Sequence, residues 1–525
     1  MTLPIRLNEQ TPPSLAYKLV AAEQVKLHEG QAASASGASL FDLMTRAGQA
    51  AFRWLQQRYP EARKVAVLAG WGNNAGDAYI VAALAKKAGM QVKVCCADLD
   101  HTLPADATVA KENWLSLGGE CVNWQLANLN QVDLIIDGLL GTGLQGDVRP
   151  PLQDLIAWVN RSGLPVLSLD LPSGMDADTG RPLPIAIQAH STVTFVAIKP
   201  GLVTGQGKGL CGELVYADLD IASDFFKRAK VIAQLMSWPY LSPLTKRQQH
   251  ANKGNFGRLL CIGGNRGMPG AIRLCAEAAL RSGVGLVKVL CHADSQLAVG
   301  AGRPELMPSA DCSIAGVRQA LEWSTCVVLG PGLGQDAWAQ SLVTQVLEFC
   351  QQQARPLVLD ADALNLIAMH KHQFSRFSVK NAIMTPHPGE ASRLLGCQIA
   401  QIEQDRLSAC QSLANEFGVI ALLKGAGTII CRPQVSALTD DYGQSQAVIC
   451  ADGNPGMATA GMGDVLSGVI AAMLAQGFNS AQAAIHGVCL HALAGDKVAS
   501  QYGQRGMLAS DLYPKLRELI NLESP

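Results

Sequence analysis

Short apolar runs alternate with helical patterns along the first half of the chain. The run "KVAVLAG" is followed by the helical pattern "DAYIVAALAKKAG" and then by "QVKVCCA". This order of strand, helix and strand, with glycines at the strand exits, is typical of a parallel sheet covered on both faces. Because ligands bind at the carboxyl ends of such strands, the loops after Ala69, Asp137 and Asp170 are predicted to converge on one site.

A second cycle of strands and helices begins at "FGRLLCIGGN" and continues through "VVLGPGLG" and "LLKGAGTII". The two halves share no order of motifs, so the pattern predicts two different α/β domains rather than a repeat. Between them lies a stretch that mixes charge, proline and aromatic residues without a steady period. We therefore place the boundary near residue 232 and predict domains 1–231 and 232–525.

Composition narrows the classes of function. The chain has 525 residues, of which 48% are hydrophobic and 16% are charged, and its formal net charge is -1. This balance disfavours a disordered tail or a nucleic-acid surface and favours small-molecule substrates. The cysteines occur without C-x-x-C pairs, no secretion signal is recognisable, and no apolar run reaches membrane-spanning length. We expect a soluble cytoplasmic protein with no nucleic-acid or membrane partner.

The loop "GWGNNAGDAY" follows a predicted strand and precedes a predicted helix. Its glycines fail the G-x-G-x-x-G register of dinucleotide-binding loops, and its asparagines and Asp77 are equally compatible with an ordinary turn. Two further strand exits carry Asp137 and Ser173. Together with Asn74 they offer the oxygen ligands that suit a hard cation of low charge density, so a monovalent ion is predicted.

Four segments, "GNNAGD", "DGLLGTGLQGDVR", "DLPSGMDADTG" and "TFVAIKPGL", resemble the NAD(P)H-hydrate epimerases in the family's order. The resemblance implies a Rossmann-like domain that interconverts the R and S epimers of hydrated nicotinamide cofactors, with K⁺ near Asn74, Asp137 and Ser173. The substrate contacts that it implies are Asn73, Asn74, Ala75, Gly76, Asp77, Gly141, Thr142, Gly143, Leu144, Gln145, Gly146, Asp147 and Asp170.

One loop departs from the family. Where the family usually reads N-N-G-G-D-G, this chain has Ala75 and Ala78 at two glycine positions. If either position needs a positive φ or a close backbone approach, its methyl group is expected to weaken binding. Asp170 is the predicted acid–base group because Asp137 would be occupied by the cation. Lys199, in "AIKPG", is predicted either to orient the substrate or to be a solvated lysine at a strand end.

The segment "NPGMATAGMGDVLSG", residues 454–468, places four glycines around Asp464 and precedes an apolar helix. The amides of Gly461 to Asp464 lie at a predicted helix start, where N–H groups lack intrahelical partners and attract anions. The segment resembles the G-x-G-D signature of ribokinase-like phosphotransferases, which implies that Asp464 accepts a proton from an attacking hydroxyl group. A helix cap alone would need only one acid and one glycine.

With this segment, "GGNRGMPGAIRLC", "GPGLG", "TPHPGE" and "KGAGT" resemble the NAD(P)H-hydrate dehydratases over most of residues 250–500. The resemblance implies a ribokinase-like domain in which Ala271, Gly332, His387 and Asp464 contact the hydrated cofactor. The nucleotide contacts that it implies are Lys424, Gly425, Ala426, Gly427, Thr428 and Gly463. In this family bacterial members use ADP as the phosphoryl donor and eukaryotic members use ATP. The fusion of the two domains in this order resembles bacterial members, which implies ADP, with Mg²⁺.

Epimerase and dehydratase on one chain predict an enzyme that repairs NADH-hydrate and NADPH-hydrate, because hydration gives both epimers and a stereospecific dehydratase uses only one. Two alternatives stay open. One is a ribokinase-like small-molecule kinase that releases a stable phosphorylated product, and the other treats the first domain as a non-catalytic ligand-binding module. A homo-oligomer is predicted, with the apolar helix at residues 481–495 as an interface, and His486 and His491 are predicted to be packed or interfacial.

Overall fold

The computed structural model describes residues 5–6, 12–99, 101–126, 129, 131–144, 146–242, 244–374, 379–434 and 447–521. Contacts divide the chain into an N-terminal unit, Leu3–Gln234, and a C-terminal unit that contains Leu235–Pro525. The domain limits 1–231 and 232–525 stay a prediction, as does the assignment of one activity to each.

Strands and helices alternate through the N-terminal unit. The strands are β1 Ile5–Arg6, β2 Lys18–Val20, β3 Lys64–Ala69, β4 Gln91–Cys96, β5 Cys121–Asn123, β6 Leu134–Gly138, β7 Val166–Leu169, β8 Ser191–Phe195 and β9 Glu213–Ala217, and β10 Val231–Met236 spans the division between the two units. The α-helices are α1 Pro13–Ala16, α2 Ala22–Ala35, α3 Leu40–Arg58, α4 Asn73–Lys87, α5 Ala105–Ser116, α6 Pro150–Ser162, α7 Gly205–Leu210 and α8 Ala222–Phe225. Short 3₁₀ helices occupy Trp124–Leu126 and Pro200–Leu202.

The main sheet of the N-terminal unit is parallel. Among the described residues its strand order is β1-β9-β8-β7-β6-β3-β4-β5. The chain runs outward from β3 to β5, returns to β6 on the other side of β3, and runs outward again to β9, as in doubly wound Rossmann-like folds. The strand order reverses between β3 and β6, so the loops after these strands border the expected ligand crevice.

Strand β3 shows why strands in the first half of the sequence consist of uninterrupted apolar runs. Val65 and Val67 join one buried cluster with helices α3 and α4, whereas Ala66 and Leu68 join a second cluster with helix α6. All four side chains are fully buried. A strand that is covered on both faces needs apolar residues at every position rather than at alternate ones. In such a strand, charged and amide side chains are best placed at the exit, where a ligand can reach them.

The C-terminal unit is also built from strands and helices. The strands are β11 Arg258–Ile262, β12 Leu286–Leu290, β13 Leu306–Ser309, β14 Cys326–Leu329, β15 Leu357–Leu359, β16 Ala382–Met384, β17 Ile420–Leu423, β18 Thr428–Cys431 and β19 Ala447–Cys450. The α-helices are α9 Pro269–Arg281, α10 Ala293–Gly300, α11 Ile314–Trp323, α12 Ala337–Gln352, α13 Asp362–Met369, α14 Lys371–Phe374, α15 Pro388–Leu395, α16 Ile399–Gln404, α17 Arg406–Phe417, α18 Met462–Ala475, α19 Ser480–Tyr502 and α20 Leu512–Ile520. The 3₁₀ helices are Trp238–Tyr240, Lys253–Phe256, Pro455–Met457 and Ala509–Asp511.

The sheet of this unit is parallel along most of its width. Within the described part of the chain the strands follow the order β13-β12-β11-β14-β15-β16-β17-β18-β19. Every pair from β13 to β17 is parallel, whereas β18 pairs antiparallel with both β17 and β19. The loop that follows Leu423 is therefore the tip of a hairpin, which the apolar pattern did not reveal. The parallel sheets predicted for both units are confirmed.

Helix α19 corrects one expectation. Its apolar residues join α18, α9 and α20 in one buried cluster of the C-terminal unit, so the suggested interface at residues 481–495 is wrong: this face is already covered. His486 is packed, with Nδ1 2.9 Å from the Gln482 carbonyl oxygen, and His491 is also buried. All fifteen cysteines are free. In the described ranges we find no helix that is both long enough and apolar enough to cross a bilayer.

Gly468 sets the closest approach between helices α18 and α9. A methyl group there would collide with the carbonyl oxygen of Cys275 and come within 3.1 Å of the Ala278 side chain. We predict that Gly468→Ala destabilises the C-terminal unit by about 2 kcal/mol, despite the better helix propensity of alanine, because the backbones must separate. The measurement is the urea unfolding midpoint. Gly270→Ala in α9, where a methyl group has open space, is the control and should not lower it.

Candidate active sites

A cavity of about 1210 Å³ lies within the N-terminal unit at the carboxyl ends of its strands. Its wall includes residues 71–74 after β3, residues 139–144 after β6, and Asp170 directly after β7. The predicted convergence of these three loops is confirmed. The cavity lies at the reversal of the strand order, which is where open α/β sheets bind ligands.

Asp170 and Lys199 form an ion pair in this cavity. Lys199 is 1% exposed, and its Nζ donates to Asp170 Oδ1, to Thr194 Oγ1 at 3.1 Å and to the Phe195 carbonyl oxygen at 3.1 Å. Asp170 Oδ1 also accepts the Phe195 N–H at 3.3 Å. The alternative of a solvated lysine is wrong, because this ammonium is buried and depends on its carboxylate partner.

The backbone on both sides of this pair is unusual. Asp170 and Val196 have φ values of 64° and 65°, in the left-handed region that non-glycine residues rarely adopt. Such a conformation costs about 1–3 kcal/mol per residue and persists only where the surrounding structure fixes it. Two strained residues at neighbouring strand exits indicate that the position of the Asp170 carboxylate is under functional constraint.

Asp137, Ser173 and Asn74 meet beside the same crevice. Asp137 is fully buried and accepts Ser173 Oγ at 2.5 Å, the Ser173 N–H at 2.9 Å and Ser168 Oγ at 2.8 Å. Ser173 Oγ and Asn74 Nδ2 both donate to the Leu140 carbonyl oxygen, at 3.1 and 3.0 Å. Burial raises the pKa of Asp137, and these hydrogen bonds oppose the rise.

The remaining oxygen of Asn74 fits the predicted cation. Its Oδ1 is buried without a hydrogen-bond partner, and such atoms in native structures call for a water or an ion. In the part of the chain that the structure describes, no group of three or more His, Cys, Asp or Glu side chains could hold a metal ion. One carboxylate with neutral oxygens suits a monovalent cation better than a divalent one.

The predicted substrate contacts of this unit lie partly in the cavity wall and partly outside it. Those in the cavity wall are Asn73, Asn74, Asp77, Gly141, Thr142, Gly143, Leu144, Asp147 and Asp170. Ala75 and Gly76 lie instead in the packing of helix α4, where a methyl group on Gly76 would collide with Met44. Gly146 adopts a φ of 70° outside the wall, and Gln145 lies outside the described residues.

The two alanines that replace family glycines carry no backbone strain. Helix α4 begins at Asn73, and neither Ala75 nor Ala78 has a positive φ. Both side chains are fully buried, and alanine is the residue that most favours helix. Ala78 packs against Gly138, where an added methyl group would come within 2.5 Å of the Ala78 side chain. The positive φ under which binding was expected to weaken is therefore absent at both positions.

In the C-terminal unit, the predicted helix start at Asp464 is present. Helix α18 begins at Met462 after Gly461, whose φ of 87° lies in the left-handed region. The amides of the first turn have no intrahelical acceptor and attract anions. A methyl group on Gly463 would lie 3.3 Å from Lys424 Nζ, so this ammonium adjoins the anion-binding turn.

Two carboxylates hold Lys424 in place. Its Nζ lies 2.8 Å from Asp360 Oδ1 and 3.7 Å from Glu390 Oε2. The other oxygen of Asp360 accepts a hydrogen bond from Ser467 Oγ at 2.7 Å. Ser467 is one turn along α18 from Asp464. Asp360, which directly follows β15, therefore fixes the ammonium to the helix that carries the predicted base.

Burial and these charges set the protonation states. Burial raises the pKa of Asp464 to about 7, with Asp360 adding to the rise and Lys424 opposing it. Burial also raises the pKa of Glu390 to about 7. Burial would lower the pKa of Lys424, but Asp360 and Glu390 outweigh it, so this pKa lies above its usual value. Lys424 is therefore expected to stay charged, whereas Glu390 and Asp464 are expected to titrate near neutral pH.

The loop after β14 needs its glycines. Gly330 and Gly332 have φ values of 131° and 60°. A methyl group on Gly330 would collide with the Asp360 carbonyl oxygen, and one on Gly332 would lie 2.6 Å from the Met268 carbonyl oxygen and 3.3 Å from the Ala271 side chain. The structure therefore brings together two predicted substrate contacts, Ala271 and Gly332.

The remaining predicted contacts come from the exits of β16 and β17. His387 caps helix α15, where its Nδ1 accepts the Gly389 N–H at 3.0 Å and the Glu390 N–H at 3.3 Å. Burial and the Lys424 charge lower the pKa of His387, which suits a neutral ring that accepts hydrogen bonds. In the hairpin tip at residues 424–428, Thr428 Oγ1 donates to the Gly425 carbonyl oxygen at 3.1 Å. Ligand contacts at these positions stay predictions.

Sequence reasoning missed two acids. Asp360 ends the run "PLVLD", and the strand-exit argument that selected Asp137 and Asp170 could have found it. Glu29 lies in helix α2 and lines the N-terminal cavity. No motif marks it, because it reaches the cavity only through the folding of a helix that precedes the first long strand.

The fold and these sites define a class of protein: a two-unit α/β protein with a Rossmann-like crevice in one unit and, in the other, a carboxyl group and a lysine beside a glycine-rich helix start. The family model described as NAD(P)H-hydrate dehydratase matches residues 259–518, and the one described as YjeF-related protein N-terminus matches residues 40–201.

Full-length relatives and a solved structure are similar to this chain. The bifunctional NAD(P)H-hydrate repair enzyme Nnr of Escherichia coli is 41% identical over 98% of this chain and 96% of its own length. The Coxiella burnetii protein of the same name is 42% identical over 93% and 96%. A structure entitled ADP/ATP-dependent NAD(P)H-hydrate dehydratase from Bacillus subtilis, co-crystallised with ATP and Mg²⁺, has 26% identity and a TM-score of 0.45, covering 53% of this chain and 94% of that one.

This chain belongs to the family of bifunctional NAD(P)H-hydrate repair enzymes. The family and the two parallel sheets confirm the predicted fold class, a Rossmann-like domain followed by a ribokinase-like α/β domain. The individual site residues stay predictions.

We predict that Asp360→Asn destabilises the C-terminal unit by about 3 kcal/mol and weakens nucleotide binding, because it removes the carboxylate that fixes Lys424. The measurements are the urea midpoint and the KM for ADP or ATP. Ser467→Ala is the matched variant: it removes one hydrogen bond to the same carboxylate and should cost about 1 kcal/mol. Equal effects of the two variants would contradict a special role for the ion pair.

Proposed function

We propose that this chain repairs hydrated NADH and NADPH by two successive activities. Domain 1–231 interconverts the R and S epimers, and domain 232–525 dehydrates the S epimer at the expense of ADP. The observation that carries the proposal is the first turn of α18, where Asp464 has a pKa of about 7 and Gly463 adjoins the Lys424 ammonium. A base, an anion-binding turn and a cation are the components of phosphoryl transfer.

The dehydration begins as a kinase reaction. Hydration of the dihydronicotinamide ring leaves a hydroxyl group on C6, a poor leaving group in neutral water. Asp464 accepts its proton as the oxygen attacks the terminal phosphoryl group, while Lys424 and the amides of the α18 turn offset negative charge. The phosphate ester departs with help from the ring nitrogen, and loss of a proton from the adjacent carbon restores NAD(P)H.

The ligand contacts of this domain belong to the same proposal. Ala271, Gly332 and His387 contact the hydrated cofactor, and the nucleotide is held by Gly463 and the hairpin tip at residues 424–428. Mg²⁺ would supply positive charge at the transferred phosphoryl group. Across the described residues no group of three or more acidic, His or Cys side chains could hold a metal ion, which fits an ion carried mainly by nucleotide phosphates.

In the N-terminal domain, Asp170 moves a proton and Lys199 holds its carboxylate in position. K⁺ would lie near Asn74, Asp137 and Ser173, where it would supply positive charge beside the substrate. The orphaned Asn74 Oδ1 supports this placement. We further propose that the protein is a cytoplasmic homo-oligomer without nucleic-acid or membrane partners.

The test is recovery of dihydronicotinamide absorbance from a mixture of R and S NADH-hydrate, with ADP and ATP in parallel and K⁺ and Mg²⁺ present. Full recovery is expected, and faster with ADP. Recovery that stops at the S fraction would reduce the first domain to a ligand-binding module. A stable phosphorylated product without recovery would favour the small-molecule kinase.

We predict that Asp464→Asn lowers the dehydration rate of the S epimer about 10³-fold, because it removes the general base. In the wild type, kcat/KM should fall as the pH drops through about 7, since only the ionised carboxylate accepts a proton. Steady-state kinetics between pH 5.5 and 9 provide the measurement. Glu322→Gln, which changes an exposed acid of α11, is the control. A fully active Asp464→Asn protein would rule out the base.

We predict that Asp170→Asn abolishes repair of the R epimer and leaves dehydration of the S epimer unchanged, because the two reactions use different domains. The measurement is the recovered fraction of absorbance from mixed epimers: it should stop at the S fraction. Complete recovery at the wild-type rate would remove Asp170 from the mechanism.

A further inference from the structure

Helix α2 presents one face to the N-terminal cavity. Val25, Lys26 and Glu29 line the wall, and their spacing of three and four residues places them on one side of a helix. Glu23 of the same helix is exposed and does not line it. The YjeF-related family model matches from residue 40 onward, so its match does not include this helix.

Six acidic side chains line the cavity wall, and three of them interact with one another and with the buried Lys199 ammonium: Glu29 from α2, Asp77 from α4 and Asp170 from the exit of β7. Burial raises the pKa of Glu29, and the Asp170 charge adds to the rise, whereas Lys199 and Lys26 oppose it. Burial, Asp170 and Glu29 raise the pKa of Asp77 well above its usual range. Repulsion among these carboxylates favours a state in which one of them keeps a proton.

Inversion at C6 of the hydrated ring needs both an acid and a base, and one carboxylate is poorly suited to act as both. The hydroxyl group must leave one face of the ring and a water oxygen must add to the other face. The first event needs an acid and the second needs a base. The Asp170 carboxylate accepts hydrogen bonds from Lys199 Nζ, from Thr194 Oγ1 at 3.3 Å and from the Phe195 N–H at 3.3 Å, which fix its position. Acting alone, this immobile carboxylate would have to serve both faces of the ring.

We propose that Glu29 is the second acid–base group of the epimerase site, working with Asp170 from a different structural element. This inference rests on the proposed epimerase function. In one direction the protonated carboxyl group gives its proton to the C6 hydroxyl, the C6–O bond breaks, and the N1 lone pair forms the C6=N1 bond as water leaves. A water on the other face adds to C6, the C6=N1 pair returns to N1, and the released proton passes to the ionised carboxylate.

The reaction balances without an oxidant or another reactant. One carboxyl group ends ionised and the other ends protonated, and one water leaves as another enters. The reverse reaction uses the two groups with their roles exchanged. The ion pair between Asp170 and Lys199 does not need a further carboxyl group beside it. An acid–base role for Glu29 explains why α2 places one there.

The test follows R and S NADH-hydrate by chromatography without nucleotide, so that the dehydratase is idle, using full-length protein. Glu29→Gln should lower the kcat for epimerisation about 10²-fold with KM changed less than about twofold, and the pH profile should lose one limb. Glu29→Asp should restore part of kcat. Glu23→Gln, on the exposed side of the same helix, should match the wild type. Dehydration of the S epimer with nucleotide should be unchanged in all variants.

Three results would overturn the inference. One is a kcat for Glu29→Gln within about twofold of wild type. Another is a lower thermal midpoint or a higher KM with an unaltered pH profile, which would make Glu29 structural. The third is a wild-type protein that fails to interconvert the epimers, which would remove the proposed epimerase function itself and is distinguishable from the other two.

Discussion

Both units depend on a lysine that is buried against an aspartate at the carboxyl end of a parallel strand. The pairs are Lys199 with Asp170 and Lys424 with Asp360. An ammonium without its carboxylate would lose several kcal/mol of hydration at such a position. Each lysine is therefore fixed in position, and the neighbouring loops fit around it. Asp170 has a left-handed backbone, and residue 463 is a glycine, where a side chain would approach Lys424.

The pattern of apolar residues was sufficient for most of the fold because the strands are covered on both faces. Burial of every side chain from Val65 to Ala69 in β3 removes the alternation that marks a half-exposed strand, and helices between such runs leave a parallel sheet as the simplest arrangement. The same argument could not find the hairpin of β17 and β18. Two apolar strands of four residues each carry no information about their relative direction, which is set by the short loop between them.

The residues of the candidate sites also divide into those that local sequence patterns predict and those that they do not. Motifs at strand exits identified Asp137 and Asp170 because fold topology requires such loops to converge, and the glycine-rich helix start identified Asp464. Glu29 stayed hidden because its place in the cavity depends on how helix α2 packs, which no local pattern encodes. The departure at Ala75 involves no positive φ, because the position lies within a helix that alanine suits, and an effect of its methyl group on substrate binding stays a prediction.

In the proposed phosphoryl transfer, a base with a raised pKa would have to work beside a nucleotide. Burial strengthens the attraction between Lys424 and phosphate, and the same burial raises the pKa of Asp464 to about 7. An arriving anion would raise it further and protonate the base at the moment it is needed. Lys424 opposes that shift, and Asp360 keeps the ammonium charged and in place. Lys424 therefore counters part of the rise that burial, Asp360 and an arriving anion would produce in the pKa of Asp464.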